Sequence, residues 1–99
     1  MARVRRFHPQ AADDIANATA YYDDVSIELG NKFRESIRVR FSSLTEFPES
    51  YGQVRDEVRA AMISQFPYVI LFEHDDNAVT ILGVFHAASD TEGWFERTA

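Results

Sequence analysis

The stretch SQFPYVILFEHDDNAVTILGVFH, residues Ser64–His86, gives the clearest structural prediction in the chain. It contains two apolar runs rich in β-branched and aromatic side chains, Tyr68–Phe72 and Val79–Phe85, with the polar segment His74–Asn77 between them. Asp and Asn accept left-handed backbone angles and bond their own main chain, so this order predicts a β-hairpin. Neither run alternates cleanly between apolar and polar residues, which indicates strands covered on both faces.

Two amphipathic helices are predicted upstream of the hairpin. Apolar residues repeat at intervals of three and four from Pro9 to about Asp24, and proline suits the first helical position. Ser26 can cap a second helix that ends before Pro48. Gly30 lies on the apolar stripe of that second helix, which indicates close approach of the two helices near their short connection. We therefore expect a helical hairpin.

Shorter elements are predicted at the ends and in the middle of the chain. Ala2–Phe7 predicts a first strand, Gln53–Ser64 predicts one or two further strands, and a short helical turn is expected around Trp94. The predicted class is α+β in the order β-α-α-β-β-β, as one domain over residues 1–99. The late strands form an antiparallel meander, and the helical hairpin packs on one face of the sheet.

Composition narrows the classes of function. The chain has 45% hydrophobic residues, as expected of a folded domain, and it has no cysteine to form disulfides or thiolate metal sites. No apolar segment follows the first basic residues, so we expect a cytoplasmic protein without a membrane segment. The net charge is −6, and residues 41–99 carry ten acidic and three basic side chains. Because that half repels phosphate, wide nucleic-acid contact is not expected.

No metal site or cofactor site is predicted. His74, Asp75 and Asp76 are contiguous on a turn and do not converge on one ion. His86 ends the last apolar strand, where an imidazole can act as a general acid or base, or can simply pack and form a hydrogen bond. Arg59 lies on an earlier strand and could join it in a site.

Three arginines of the second helix allow two interpretations each. Arg40 projects onto the apolar stripe. In the structural interpretation, its side chain extends past the edge of the core or meets a carboxylate. In the functional interpretation, it binds an anion or a partner. Arg34 and Arg38 are four residues apart and form a small basic ridge on the flank of the stripe. That ridge is either a solvated helix face or a docking surface.

Several short motifs, in this order, resemble one protein family. They are Pro9, Tyr21, Tyr22, Phe33, Pro48, Val58, Arg59, residues 66–70, residues 79–82, Val84, His86, Asp90 and Trp94. Together they resemble the RelE/ParE superfamily of bacterial type II toxin–antitoxin toxins, on the ParE-like side. The resemblance covers nearly the whole chain.

The resemblance implies a cytoplasmic growth inhibitor that a cognate antitoxin neutralises. It also implies a small sheet with a helical hairpin on it. The ParE branch inhibits DNA gyrase, whereas the RelE branch cuts mRNA on the ribosome. We expect the antitoxin to bind the helical hairpin. The residues expected there are Tyr21, Arg34 and Arg38, and the candidates for binding the target are Arg59, His86 and Trp94.

Two departures from the family pattern bear on the mechanism. Val69 stands where RelE-like nucleases carry an arginine, and no Lys or Arg occurs between Arg59 and Arg97. Cleavage of a phosphodiester bond without a metal ion needs a cationic group and an acid–base pair. Inhibition of gyrase through protein–protein contact is therefore favoured over an mRNA endonuclease that uses His86 and Arg59. Ala87–Ser89 also lacks the arginine that ParE-like chains often carry there, which leaves open a non-toxic remnant that still binds an antitoxin-like partner.

Overall fold

The computed structural model describes residues 3–97, and its main elements are a five-stranded sheet and two long helices. The helices pack on one sheet face, and a short third helix packs on the other. In chain order the elements are β1 (Val4–Phe7), α1 (Pro9–Val25), α2 (Ile27–Glu46), a 3₁₀ turn (Pro48–Ser50), β2 (Gln53–Arg55), β3 (Val58–Met62), β4 (Tyr68–His74), β5 (Ala78–His86) and α3 (Thr91–Glu96).

The sheet has the strand order β1-β5-β4-β3-β2. Strands β2 to β5 form an antiparallel meander, which together with the two helices confirms the predicted α+β class. The segment predicted to hold one or two strands holds two, β2 and β3. The first strand pairs parallel to β5, with Val4 opposite Ala78, so the sheet is mixed and its first strand lies at an edge. The sequence predicts this strand without predicting its partner.

The predicted β-hairpin is formed by β4 and β5. Tyr68 lies opposite His86, and the pairing continues to the turn. Asp75 closes that turn, because its Oδ1 accepts hydrogen bonds from the N–H groups of Asn77 and Ala78 at 2.7 and 2.8 Å. The bond from Asn77 has the largest effect in lowering the pKa of the Asp75 carboxyl, followed by the bond from Ala78. The side chain thus satisfies two backbone donors that the turn leaves free.

Local capping sets the ends of the two long helices. Pro9 takes the first position of α1, and Nδ1 of His8 accepts a hydrogen bond from the N–H of Gln10 at 3.1 Å. Ser26 separates the helices and caps α2, with its Oγ accepting from the N–H of Leu29 at 3.0 Å. The predicted start of α1 at Pro9 and the predicted cap of α2 at Ser26 are both confirmed. Helix α1 continues to Val25, one residue further than expected.

Gly30 lies at the contact between the two helices. It is buried, and a Cβ atom there would lie 1.7 Å from Oδ1 of Asp23 and 3.2 Å from its Cα. A side chain at this position therefore cannot be accommodated without displacing Asp23. The predicted close approach of the helices near their connection is confirmed.

The sheet separates two apolar clusters. The larger one lies between the sheet and the helical hairpin and includes Phe33, Phe72 and Ile81, each 0% exposed. The smaller one, on the opposite face, consists of Val58, Val69, Leu71 and Leu82, with the half-buried Trp94 and Phe95 packed against it. The central strands are therefore covered on both faces, as their apolar runs predict.

Candidate functional site

The end of the sheet at which β5 finishes is built from aromatic side chains and one histidine. Tyr22 lies at its centre, with ring centroids 5.1 Å from Phe33 and 4.8 Å from Phe66. The ring of Tyr68 lies 6.2 Å from Tyr22 and 5.2 Å from His86. We call these five residues the His86 end of the sheet. It consists of uncharged rings, with the histidine at the surface.

His86 is exposed, and one of its ring nitrogens is already occupied. Its Nδ1 accepts a hydrogen bond from the N–H of Ala88 at 3.1 Å, which places the proton of the neutral ring on Nε2. The Nε2–H of the exposed side chain is then the ring's donor, which suits binding of a partner's acceptor.

The phenols beside His86 keep their protons. Burial raises the pKa of Tyr22, with a further rise from the neighbouring Tyr68 and Tyr21 phenols. Burial also raises the pKa of Tyr68, and Tyr21 adds to that effect. Both groups are therefore neutral O–H groups at physiological pH and not bases.

Arg59 lies away from His86 on the same face. It pairs with Phe72 on β4, whereas His86 pairs with Tyr68. Four residues along a strand span about 13 Å, so the two side chains start far apart. Arg59 instead donates from Nη1 to the backbone oxygen of Tyr51. The structure does not bring the two residues of the nuclease interpretation together.

Tyr21 and the two ridge arginines lie on the helical hairpin. Tyr21 is 62% exposed, with its ring edge-on to that of Tyr22. Arg34 forms an ion pair with Asp23 of α1, and this hydrogen-bonded carboxylate raises the pKa of Arg34. Arg38 pairs with Glu35 one turn earlier. The ridge is therefore not a bare positive surface, because each arginine has a carboxylate beside it.

Trp94 lies at the same end of the molecule as His86, on the other face of the sheet. Its ring stacks on that of Phe85 at 5.6 Å, and its Nε1 donates to Oγ of Ser89 at 2.7 Å. The hydroxyl of Ser89 in turn donates to the backbone oxygen of His86 at 2.6 Å. Trp94 thus fixes α3 to the sheet and is coupled to the position of the histidine.

One connection of the C-terminal segment has no signal in the sequence. Asp14 of α1 accepts a hydrogen bond from the N–H of Val84 at 3.0 Å and forms an ion pair with Arg97. Arg97 also lies over the ring of Phe85, 4.7 Å from its centroid. Asp14 and Arg97 are 83 positions apart in the chain, so no spacing rule relates them. Together they fasten the segment after α3 across the edge of β5.

Within residues 3–97 no group of three or more His, Asp or Glu side chains is placed to hold a metal ion. Among the helices of that same part of the chain, none has the length and apolar character needed to cross a membrane.

The comparison with known families is decisive. The model of the ParE toxin of the type II toxin–antitoxin system parDE matches residues 5–91. This chain belongs to the ParE toxin family. The match spans all elements from β1 to the start of α3, so membership concerns the whole fold and not an isolated motif.

Solved structures with low sequence identity share the fold of this ParE-family chain. A chain of the chromosomal ParDE toxin–antitoxin system from P. aeruginosa superposes with a TM-score of 0.73 at 16% identity, covering 86% of this chain and 96% of that chain. A double arginine-to-alanine mutant of the E. coli toxin RelE in the free state gives 0.68 at 15% identity, covering 98% and 94%. Among curated proteins no match is found.

Proposed function

We propose that this ParE-family chain is a growth-inhibiting toxin that acts by protein–protein contact on DNA gyrase, and that a cognate antitoxin neutralises it in the cytoplasm. The observation that carries the proposal is the composition of the His86 end. It offers the half-buried rings of Tyr22 and Tyr68 and a single exposed imidazole, and no Lys or Arg occurs between Arg59 and Arg97. Metal-free cleavage of RNA needs a cation beside the acid–base group, and contact with a protein does not.

The proposed target surface combines His86 and Trp94. His86 is exposed, and Trp94 is half-buried at the same end of the sheet, on its other face. The hydrogen bonds through Ser89 hold the two in a fixed relation, which favours rigid recognition. Arg59 remains a candidate for target binding, at a separate position on the same sheet.

The proposed antitoxin surface is the helical hairpin. Tyr21, Val25 and Ile27 are 62%, 61% and 75% exposed around the connection of the two helices. Such apolar side chains can anchor a segment that folds on binding, for which ordering costs several kcal/mol. Arg34 reaches Asp23 of α1 close to this connection, and Arg38 lies one turn further along α2; since both are exposed and already paired, they contribute little to affinity and mainly steer association.

Inducing the chain in bacteria tests the proposal. We expect arrested growth, broken DNA and intact mRNA, with growth restored when an antitoxin-like protein from a neighbouring reading frame is produced as well. Cleaved mRNA that stays intact in a His86→Ala strain would instead assign the chain to RelE-like mRNA endonucleases. Normal growth together with stable binding of the antitoxin-like protein would assign it to non-toxic remnants.

A further inference from the structure

Two arginines at the opposite end of the sheet hold one tyrosine between them. Arg40 of α2 donates from Nη1 to the hydroxyl of Tyr51 at 3.1 Å, and its guanidinium carbon lies 5.9 Å from the centroid of that ring. Arg59 of β3 donates to the backbone oxygen of Tyr51 at 2.5 Å. Both arginines are half-buried. Two cations, one from a helix and one from the sheet, therefore converge on a single residue, and we call these three residues the Arg59 end.

These two cations lack a counter-ion within residues 3–97. The arginines that do form ion pairs with carboxylates there are Arg34, Arg38 and Arg97. Arg40 and Arg59 have only the neutral oxygens of Tyr51. Removing a cation partly from water without an opposite charge nearby is unfavourable. An anion bound beside Arg40 and Arg59 would therefore be stabilised by both guanidinium groups.

The guanidinium of Arg40 shows which atoms are unused. Its Nε is buried and has no hydrogen-bond partner, while Nη1 is occupied by Tyr51. A guanidinium presents its donors in a planar fork that matches the two oxygens of a carboxylate. The hydroxyl of Tyr51 is itself hydrogen-bonded to Oγ of Ser43 at 2.7 Å, so Nε is the buried donor of this guanidinium that has no partner.

We propose that the Arg59 end is a receptor for a carboxylate side chain of a protein partner. Arg40 takes the carboxylate on its Nε edge, Arg59 adds positive potential, and Tyr51 holds both guanidinium groups in the free chain. Because Nε is covered in the free chain, the flexible side chain of Arg40 turns toward the ligand on binding. That the carboxylate comes from a protein partner rests on the proposed function, whereas the anion site itself does not.

The surroundings favour a carboxylate of a protein over the phosphates of a nucleic acid. The chain has a net charge of −6, and ten acidic side chains lie in residues 41–99. An extended polyphosphate would be repelled by the net negative charge of the chain, because its own charges continue beyond the site. A single acidic side chain presents one charge at the site and none further along.

The test is an NMR titration of the full chain labelled with nitrogen-15. Glutarate is the probe for a carboxylate and inorganic phosphate is the competing probe, both at constant ionic strength. We expect the Nε–H resonance of Arg40 to shift with saturation on adding glutarate. Arg40→Gln should weaken glutarate binding about tenfold, the effect of losing one charged hydrogen bond, and Arg59→Gln should weaken it less. The backbone spectrum of each variant reports whether it is folded.

Two further variants separate the effect of the planar guanidinium of Arg40 from the effect of positive charge alone. Lys32→Gln removes an exposed cation of the same helix and should leave glutarate binding unchanged. Arg40→Lys keeps the charge without the fork and should weaken binding. A shift without saturation, equal binding in Arg40→Gln, or tighter binding of phosphate than of glutarate would overturn the proposal. None of these results depends on toxicity or on gyrase, so failure of the site and failure of the proposed function are distinguishable.

Discussion

The two ends of the sheet hold their polar groups in opposite ways. At the His86 end, uncharged rings pack edge to face and leave one imidazole donor at the surface. At the Arg59 end, two cations share one tyrosine and have no carboxylate beside them in the part of the chain described. The first end therefore suits packing and contact, and the second suits an opposite charge. The comparison shows that one sheet can carry two chemically distinct surfaces.

The His86 end should carry the larger share of stability. Phe33 is 0% exposed and contacts the rings of Tyr22, Phe66 and Tyr68. Phe33→Ala should lower the free energy of unfolding by about 3–5 kcal/mol, a large part of the roughly 5–15 kcal/mol of a typical domain. Urea unfolding of purified protein measures this. A loss below about 1 kcal/mol would show that the aromatic cluster is not part of the main core.

Tyr21 extends the aromatic end to the surface and is expected to matter for binding instead of folding. Tyr21→Ala should weaken the antitoxin complex by about 2 kcal/mol through faster dissociation, as for an aromatic anchor. Replacing Arg34 and Arg38 together by Glu should mainly slow association, most clearly at low salt. Surface plasmon resonance at two salt concentrations separates the two effects. Unchanged rates in both variants would place the antitoxin elsewhere, such as along a sheet edge.

Tyr51 should contribute less to stability than Phe33. Tyr51→Phe removes the hydroxyl that Arg40 and Ser43 share and keeps the ring against Phe72. We expect a loss of about 0.5–1.5 kcal/mol in the free energy of unfolding. Ser43→Ala removes one of the same hydrogen bonds and is the matched control. A loss as large as that of Phe33→Ala would remove the contrast between the ends.

The smallest effect is expected from pH. The pKa of Tyr22 in the folded chain lies above its ordinary value of 10.0, with burial as the main cause. The protonated phenol is favoured by folding, so this contribution is fully present below pH 10.0 and is lost as the pH rises through the folded-state pKa. Between pH 10.0 and the folded-state pKa of Tyr22, the free energy of unfolding should therefore fall less steeply in Tyr22→Phe than in wild type. Parallel slopes in urea unfolding would contradict the expectation.

The sequence predicts most of the fold because the fold is largely local. The β4–β5 hairpin joins adjacent strands through a short turn, and the caps at Pro9 and Ser26 act on neighbouring residues. The parallel pairing of β1 with β5 joins the start of the chain to its last strand, and no local pattern encodes such a pairing. The same reason hides the Asp14–Arg97 ion pair.

The candidate site is less predictable than the fold. The sequence singles out Arg59, His86 and Arg40, but it cannot tell that the first two are separated along β4 or that Arg40 meets Tyr51. The partner of Arg38 is three residues away and follows a helix rule, whereas the partner of Arg34 lies across the helical hairpin. The sequence gives the chemical type of each side chain. It does not predict which side chains from distant elements come into contact.

Inhibition of DNA gyrase by contact can be tested against mRNA cleavage in a single reaction. The reaction contains purified chain, DNA gyrase, a supercoiling substrate, and ribosomes translating a defined mRNA. A toxin that acts by contact should inhibit supercoiling or trap cleaved DNA while the mRNA stays intact, and the antitoxin should reverse the inhibition. Full supercoiling activity together with mRNA cleavage that His86→Ala abolishes would contradict the account.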